Sequence, residues 1–176
     1  IADRAYRSEL EQKVEERTAE LRKTLGGVID ALTMTVEYRD PYTSGHQQRV
    51  SDLAGAIAKE MGFPKDRIMG IRMAGALHDI GKIAIPVEIL SKPGRLSKTE
   101  FELIKNHSQV GYDILNSIKF PWPLSQIVLQ HHERMDGSGY PDGISGDNIL
   151  IEARILAVAD VVEAMASHRP YRAALG

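Results

Sequence analysis

The sequence predicts an all-α domain preceded by one long helix, and three observations carry that prediction. Apolar residues recur at helical spacing through most of the chain, and almost no stretch alternates polar with apolar as a half-buried strand would. The first 36 residues contain no proline and are rich in Glu, Lys, Arg and Leu, which favour helix.

Residues 1 to 36 read as a single helix with Gly26-Gly27 as its weak point. Leu10, Leu21 and Leu32 lie eleven apart, as do Val14, Leu25 and Val36. That period, about 3.67 residues per turn, keeps one apolar stripe aligned along a nearly straight helix. The stripe fits a parallel coiled coil linking an upstream domain to the rest of the chain, and hence a homodimer. A solvated helix packed on its own domain is the plainer alternative.

From residue 37 to 176 the pattern is that of a second unit. A helix over 46 to 61 places Val50, Leu53, Ala54, Ile57, Ala58 and Met61 on one face, with Gly62 as its stop. Another runs from Lys65 to Gly81, and residues 82 to 96, with Pro86, Pro93 and Gly94, read as an irregular connection. Ser97 and Glu100 form a capping-box pattern that opens a helix continuing through Phe101, Ile104, Val110, Ile114 and Leu115. Pro121 and Pro123 introduce a helix ending near Glu133, the glycine-rich loop 134 to 148 comes next, and the apolar run 155 to 167 reads as a buried helix.

Composition excludes several classes of function. There is no cysteine, which removes thiolate metal sites and favours a cytoplasmic setting. A net charge of −2 argues against a nucleic-acid-binding face, whose affinity needs many cations along a phosphate backbone. No apolar run reaches membrane-spanning length, and the charged start resembles no signal peptide. No GxxxxGK[ST] segment or serine nucleophile elbow is present. Because the sequence opens on Ile1 rather than methionine, it reads as a piece of a longer chain.

The histidines supply the chemistry. His46, His78, His107, His131 and His132 each stand three or four residues from an apolar position on the same helix, so all five face the interior. Asp79 adjoins His78, and Asp160 interrupts an otherwise apolar run. Any one of these could be satisfied by a carbonyl or a neighbouring cap. Together they are costly, since each unpaired buried polar group costs about 1–3 kcal/mol against a net stability of about 5–15 kcal/mol. Divalent metal is the natural compensation, and a pair of ions accommodates five imidazoles and two carboxylates. Nitrogen and oxygen donors without sulfur suit iron, manganese, nickel or zinc, and ligand type alone does not choose among them.

The ordered set YTSGH, HDIGK at 78 to 82, His107, HHERMDGSGYP at 131 to 141, ADVVEAM and RPYR resembles the HD-GYP family of cyclic di-GMP phosphodiesterases, from about Tyr38 to Arg172. The resemblance implies an HD-superfamily helical bundle and two divalent ions held by His46, His78, Asp79, His107, His131, His132 and Asp160, with Asp79 bridging. It implies that Lys82 and Tyr140, in the Gly139-Tyr140-Pro141 turn, meet the substrate phosphate, and that Arg169 and Arg172 grip the dinucleotide. Cyclic di-GMP would be opened to pGpG, and onward cleavage to GMP is compatible with the family. An upstream sensor or receiver domain, and a GGDEF-type partner, belong to the same signalling context.

Two departures qualify the match. Where some relatives place a glutamate for a third metal, this chain has Tyr42, so two ions are expected, with Glu37 and Asp40 the nearest acids. Family members also continue with further helix, so part of the domain is expected beyond Gly176. Two rival functions stand beside the main one: an HD phosphohydrolase for another nucleotide, and a non-catalytic module that binds nucleotide or a partner.

Overall fold

A computed structural model of the chain describes residues 2–40 and 44–167. Among the described residues there are only helices, turns and loops. Helix α1 spans Ala2–Glu37, α2 His46–Glu60 and α3 Lys65–Leu77. A 3₁₀ turn at Ile80–Ala84 and the short α4, Val87–Leu90, lead to α5, Lys98–Lys105. Then come α6, His107–Asn116, α7, Leu124–Gln130, and α8, Ile151–Ala166.

The core lies where α2, α3, α6, α7 and α8 meet, around Val50, Ile71, Leu124, Ile127, Val128, Ile149 and Leu156, all at most 2 % exposed. Complete burial of side chains of this size contributes about 1.5–3 kcal/mol each. Small residues let α2 and α3 approach closely: a Cβ on Gly75 would stand 2.7 Å from the Ser51 Cα. Val50, Ala54 and Ala58 are fully buried on the expected face of α2, whereas Met61 is exposed.

Helix α1 is continuous through Gly26-Gly27. Only its last turns join the bundle, through buried Val36 and the Thr33 hydroxyl, which donates to the Ala76 carbonyl at 3.1 Å. Leu10, Val14, Leu21, Leu25 and Leu32 remain exposed. No described helix is long and apolar enough to cross a membrane.

Three local expectations give way to packing. Helix α3 stops at Leu77, not Gly81, because the backbone tightens into the 3₁₀ turn that lays Gly81 against the carbonyl of His107. The helix expected from Ser97 through Leu115 is two helices, divided at Asn106, which both ends α5 and begins α6. The capping box at Ser97 and Glu100 is formed as expected. Helix α8 begins four residues early and is buried on one side only: Ala153, Ile155, Leu156 and Ala159 are enclosed, while Val158, Val161, Val162 and Met165 are exposed.

Candidate metal centre

Helix ends deliver most of the site. His46 and His107 are the first residues of α2 and α6, while His78 and His131 come directly after the last turns of α3 and α7. Asp79 and His132 are their chain neighbours, and Asp160 projects from the middle of α8. Two groups result: His46 with His78 and Asp79, and His107 with His131 and His132, each with potential ligand atoms within 4.8 Å of one another. The groups adjoin, since the His78 and His131 ring centres are 5.2 Å apart.

Hydrogen bonding fixes which ring nitrogen is free to ligate. The Nδ1 atoms of His78, His107 and His131 lie 2.7, 2.6 and 2.5 Å from the carbonyls of Gly75, Ile104 and Val128, each three residues earlier. A carbonyl only accepts, so Nδ1 carries the hydrogen and Nε2 presents a bare lone pair in the neutral ring. The Nε2 atoms of His107 and His131 face each other at 3.4 Å. Two lone pairs at that separation repel, and a shared cation removes the repulsion. This is the arrangement in which an outer hydrogen bond orients a histidine ligand.

The carboxylates span both groups. Asp79 places Oδ2 3.5 Å from His78 Nε2 and Oδ1 3.6 Å from His107 Nε2. Asp160 Oδ1 is 3.1 Å from His46 Nε2 and 3.8 Å from His78 Nε2. All seven residues singled out by sequence therefore converge, and the donor set fits a pair of divalent cations.

Electrostatics keep Asp79, Asp160, His107, His131 and His132 in ligating form. Burial alone would raise the Asp79 carboxyl, but Lys82, His78 and His107 hold it well below the usual carboxylate range. Asp160 is likewise lowered, burial being overcome by His46 and His78. Burial lowers His107, His131 and His132, the last to about 3, so these rings are neutral at neutral pH. His46 moves the other way: burial lowers it, yet Asp160, Asp79 and Glu163 together raise it.

The fold also supplies supporting contacts, one of them from a residue that sequence reasoning missed, Glu163. Glu163 accepts from His46 Nδ1 in a short contact and from Arg49 Nε at 2.6 Å, so it orients the first histidine. Its one sequence signal is its spacing from Asp160, three positions along an apolar helix. Lys82 lies 2.8 Å from Asp79 Oδ2 and 3.0 Å from Asp40 Oδ2, beside the metal groups but already paired with two carboxylates. Glu37, the other nearby acid, accepts from the Gly45 N–H at 3.0 Å.

Glu133 organises the glycine loop. Its Oε1 accepts from the N–H groups of Asp142 and Gly143 at 2.8 and 3.1 Å. Gly137 takes a left-handed φ of 79°, and a Cβ on Gly139 would come within 2.5 Å of His132 O, Glu133 Cα and Arg134 N. The loop thus folds back tightly and sets the Tyr140 ring 4.7 Å from that of His132, before a cis peptide bond to Pro141. Tyr42, Arg169 and Arg172 lie outside the described residues.

Comparison with known proteins gives a consistent result. The model of a family described as HD domain matches residues 30–176. The chain is 46% identical over 165 residues to a cyclic di-GMP phosphodiesterase of Thermotoga maritima, covering 93% of this chain and 45% of that protein. It is 43% identical over 167 residues to the cyclic di-GMP phosphodiesterase response regulator RpfG of Xanthomonas campestris, covering 94% and 44%. A third relative, a 3′3′-cGAMP-specific phosphodiesterase 2 of Vibrio cholerae, is 39% identical over 155 residues, covering 87% and 30%. The chain thus spans less than half the length of these relatives.

Proposed function

This chain belongs to the HD domain family and carries the HD-GYP signature, and on that premise we propose that it is a metal-dependent phosphodiesterase that opens cyclic di-GMP to pGpG. The observation that carries the proposal is the convergence of two buried groups of ligand atoms, with Asp79 facing both. One ion would be held by His46, His78 and Asp79 and the other by His107, His131 and His132, with Asp79 bridging and Asp160 completing the set. When bound, the ions supply an activated water and positive charge against the phosphate oxygens. Iron or manganese is the proposed metal, and nickel or zinc is equally compatible with these donors.

The protein's own groups orient the substrate. Lys82 brings a compact cation beside Asp79 and toward a phosphate oxygen. Burial raises the Tyr140 phenol, so its hydroxyl keeps its proton and donates to the phosphate. Gly139 and Pro141 hold that ring in place, and Arg169 and Arg172 would clasp the dinucleotide. The fold unit 37–176 would thus form the output domain of a signalling protein. Residues 1–36 would carry its input, and the exposed Leu10, Val14, Leu21 and Leu25 fit a homodimer along α1. An upstream sensor or receiver domain, a GGDEF-type partner and a cytoplasmic setting complete the proposal.

The V. cholerae relative favours a second reading, in which a mixed-base cyclic dinucleotide is the substrate. Metal analysis and turnover of a nucleotide panel, for wild type and Asp79→Ala, test both. The expected result is two ions per wild-type chain and conversion of cyclic di-GMP, with metal and activity lost in the variant. Equal activity in both proteins contradicts the bridging role, and faster turnover of another nucleotide replaces the substrate. Binding of cyclic di-GMP without any turnover would instead make this a non-catalytic module.

A further inference from the structure

Helix α5 stands at the rim of the metal centre and has no fully buried residue, so core packing does not explain its apolar side chain at Phe101. The helix is nevertheless fixed: Ser97 and Glu100 close its capping box, and Lys92 grips Glu100 at 2.7 Å. Phe101 and Lys105, four residues apart, share one face. Phe101 meets Tyr140 edge-on, with ring centres 6.4 Å apart and planes at 83°, yet remains 46% exposed. Lys105 Nζ lies 5.6 Å from the Phe101 ring centre and 5.7 Å from that of Tyr140. It also pairs with Glu102 at 2.7 Å, on the same exposed helix. Because Tyr140 in turn covers His132, an aromatic path leads from the metal centre outward to Phe101.

We infer that Phe101 and Lys105 form a nucleotide-base subsite, in which a purine stacks on the exposed Phe101 ring while Lys105 draws in the attached phosphate. An accessible aromatic surface beside a cation suits a planar, electron-rich base carried by an anion. Phe101 is 46% exposed, so part of its ring is accessible to a planar base even with Lys105 above it, and the short, capped helix keeps the ring in position. The subsite rests on the proposed nucleotide chemistry and adds to it the part that would read the base.

The test compares two ligands that share a sugar phosphate and differ in the base. Dissociation constants for GMP and ribose 5-phosphate are measured by calorimetry on the metal-loaded protein, for wild type, Phe101→Ala, Phe101→Tyr and Lys105→Ala. Phe101→Ala is expected to weaken GMP about tenfold, as for loss of one stacked base, and to leave ribose 5-phosphate unchanged. Phe101→Tyr retains the preference, and Lys105→Ala weakens both ligands together. The subsite is refuted if wild type does not prefer GMP, if Phe101→Ala leaves the preference intact, or if that variant loses both ligands equally, which would mark a structural role. Lys105→Ala binding both ligands as wild type does removes the cation from it. A wild type that shows this preference but never cleaves cyclic di-GMP would overturn the proposed activity and leave the subsite standing.

Discussion

Gly81→Ala is the most direct perturbation of the link between fold and site. A Cβ at this position would stand 1.9 Å from the carbonyl oxygen of His107, 2.6 Å from Gly111 N and 2.8 Å from His107 C. An ordinary carbon-to-oxygen contact is about 3.3 Å, so the 3₁₀ turn and α6 must separate by about 1.4 Å. All three of these neighbours are backbone atoms, and no side-chain rotation relieves the clash. Overpacking of this kind costs about 1–3 kcal/mol, and we place this substitution at the upper end. For a chain of this size about 3 kcal/mol lowers the melting temperature by roughly 6–12 °C. His107 opens α6, so the same displacement draws its Nε2 away from His131 and Asp79. Metal affinity of that group should fall by about 10–100-fold, as when an orienting contact is removed.

The assay is thermal unfolding of the metal-free protein followed by metal titration in competition with a chelator. Gly26→Ala is the control: nothing lies within 4 Å of the added Cβ, and replacing a mid-helix glycine should stabilise α1 by about 0.5–1 kcal/mol. A Gly81→Ala protein that melts within about 2 °C of wild type, less than 1 kcal/mol on this scale, and binds metal equally would refute the packing argument.

The groups around the histidines lead to two further expected outcomes. Glu163→Gln removes the charge that His46 Nδ1 faces, and should weaken metal binding by about 10–100-fold with little change in the helical spectrum; unchanged affinity would show that Glu163 serves only Arg49 and Ser167. The metal-free protein should also lose stability in mild acid. Burial depresses His107, His131 and His132 in the folded state, while an unfolded imidazole titrates near about 6.5, so below that pH the unfolded chain binds more protons. Their contribution is complete above about pH 6.5 and declines as pH falls toward the folded values. His46, whose pKa is raised, opposes the trend as a single group. Melting at about pH 5 should therefore lie below that at about pH 7.5, and an equal or higher value would contradict the burial argument.

Helical periodicity and the cost of unpaired polar groups made the all-α class, the long first helix and the seven converging residues readable from sequence alone. Both signals are local: each needs only the three- and four-residue neighbourhood of a side chain, as at His107 between Ile104 and Val110. The break at Asn106, the early end of α3 and the exposed side of α8 were not readable, because they depend on which surfaces meet. The same is true of the supporting shell. His46 and Glu163 are 117 positions apart, and Lys82 and Asp40 are 42 apart, separations across which no periodic pattern operates. Sequence by itself determined which residues had to be compensated in the interior. Tertiary structure decided how they are grouped and which acids hold them, since those are fixed by distances between elements that chain order does not encode.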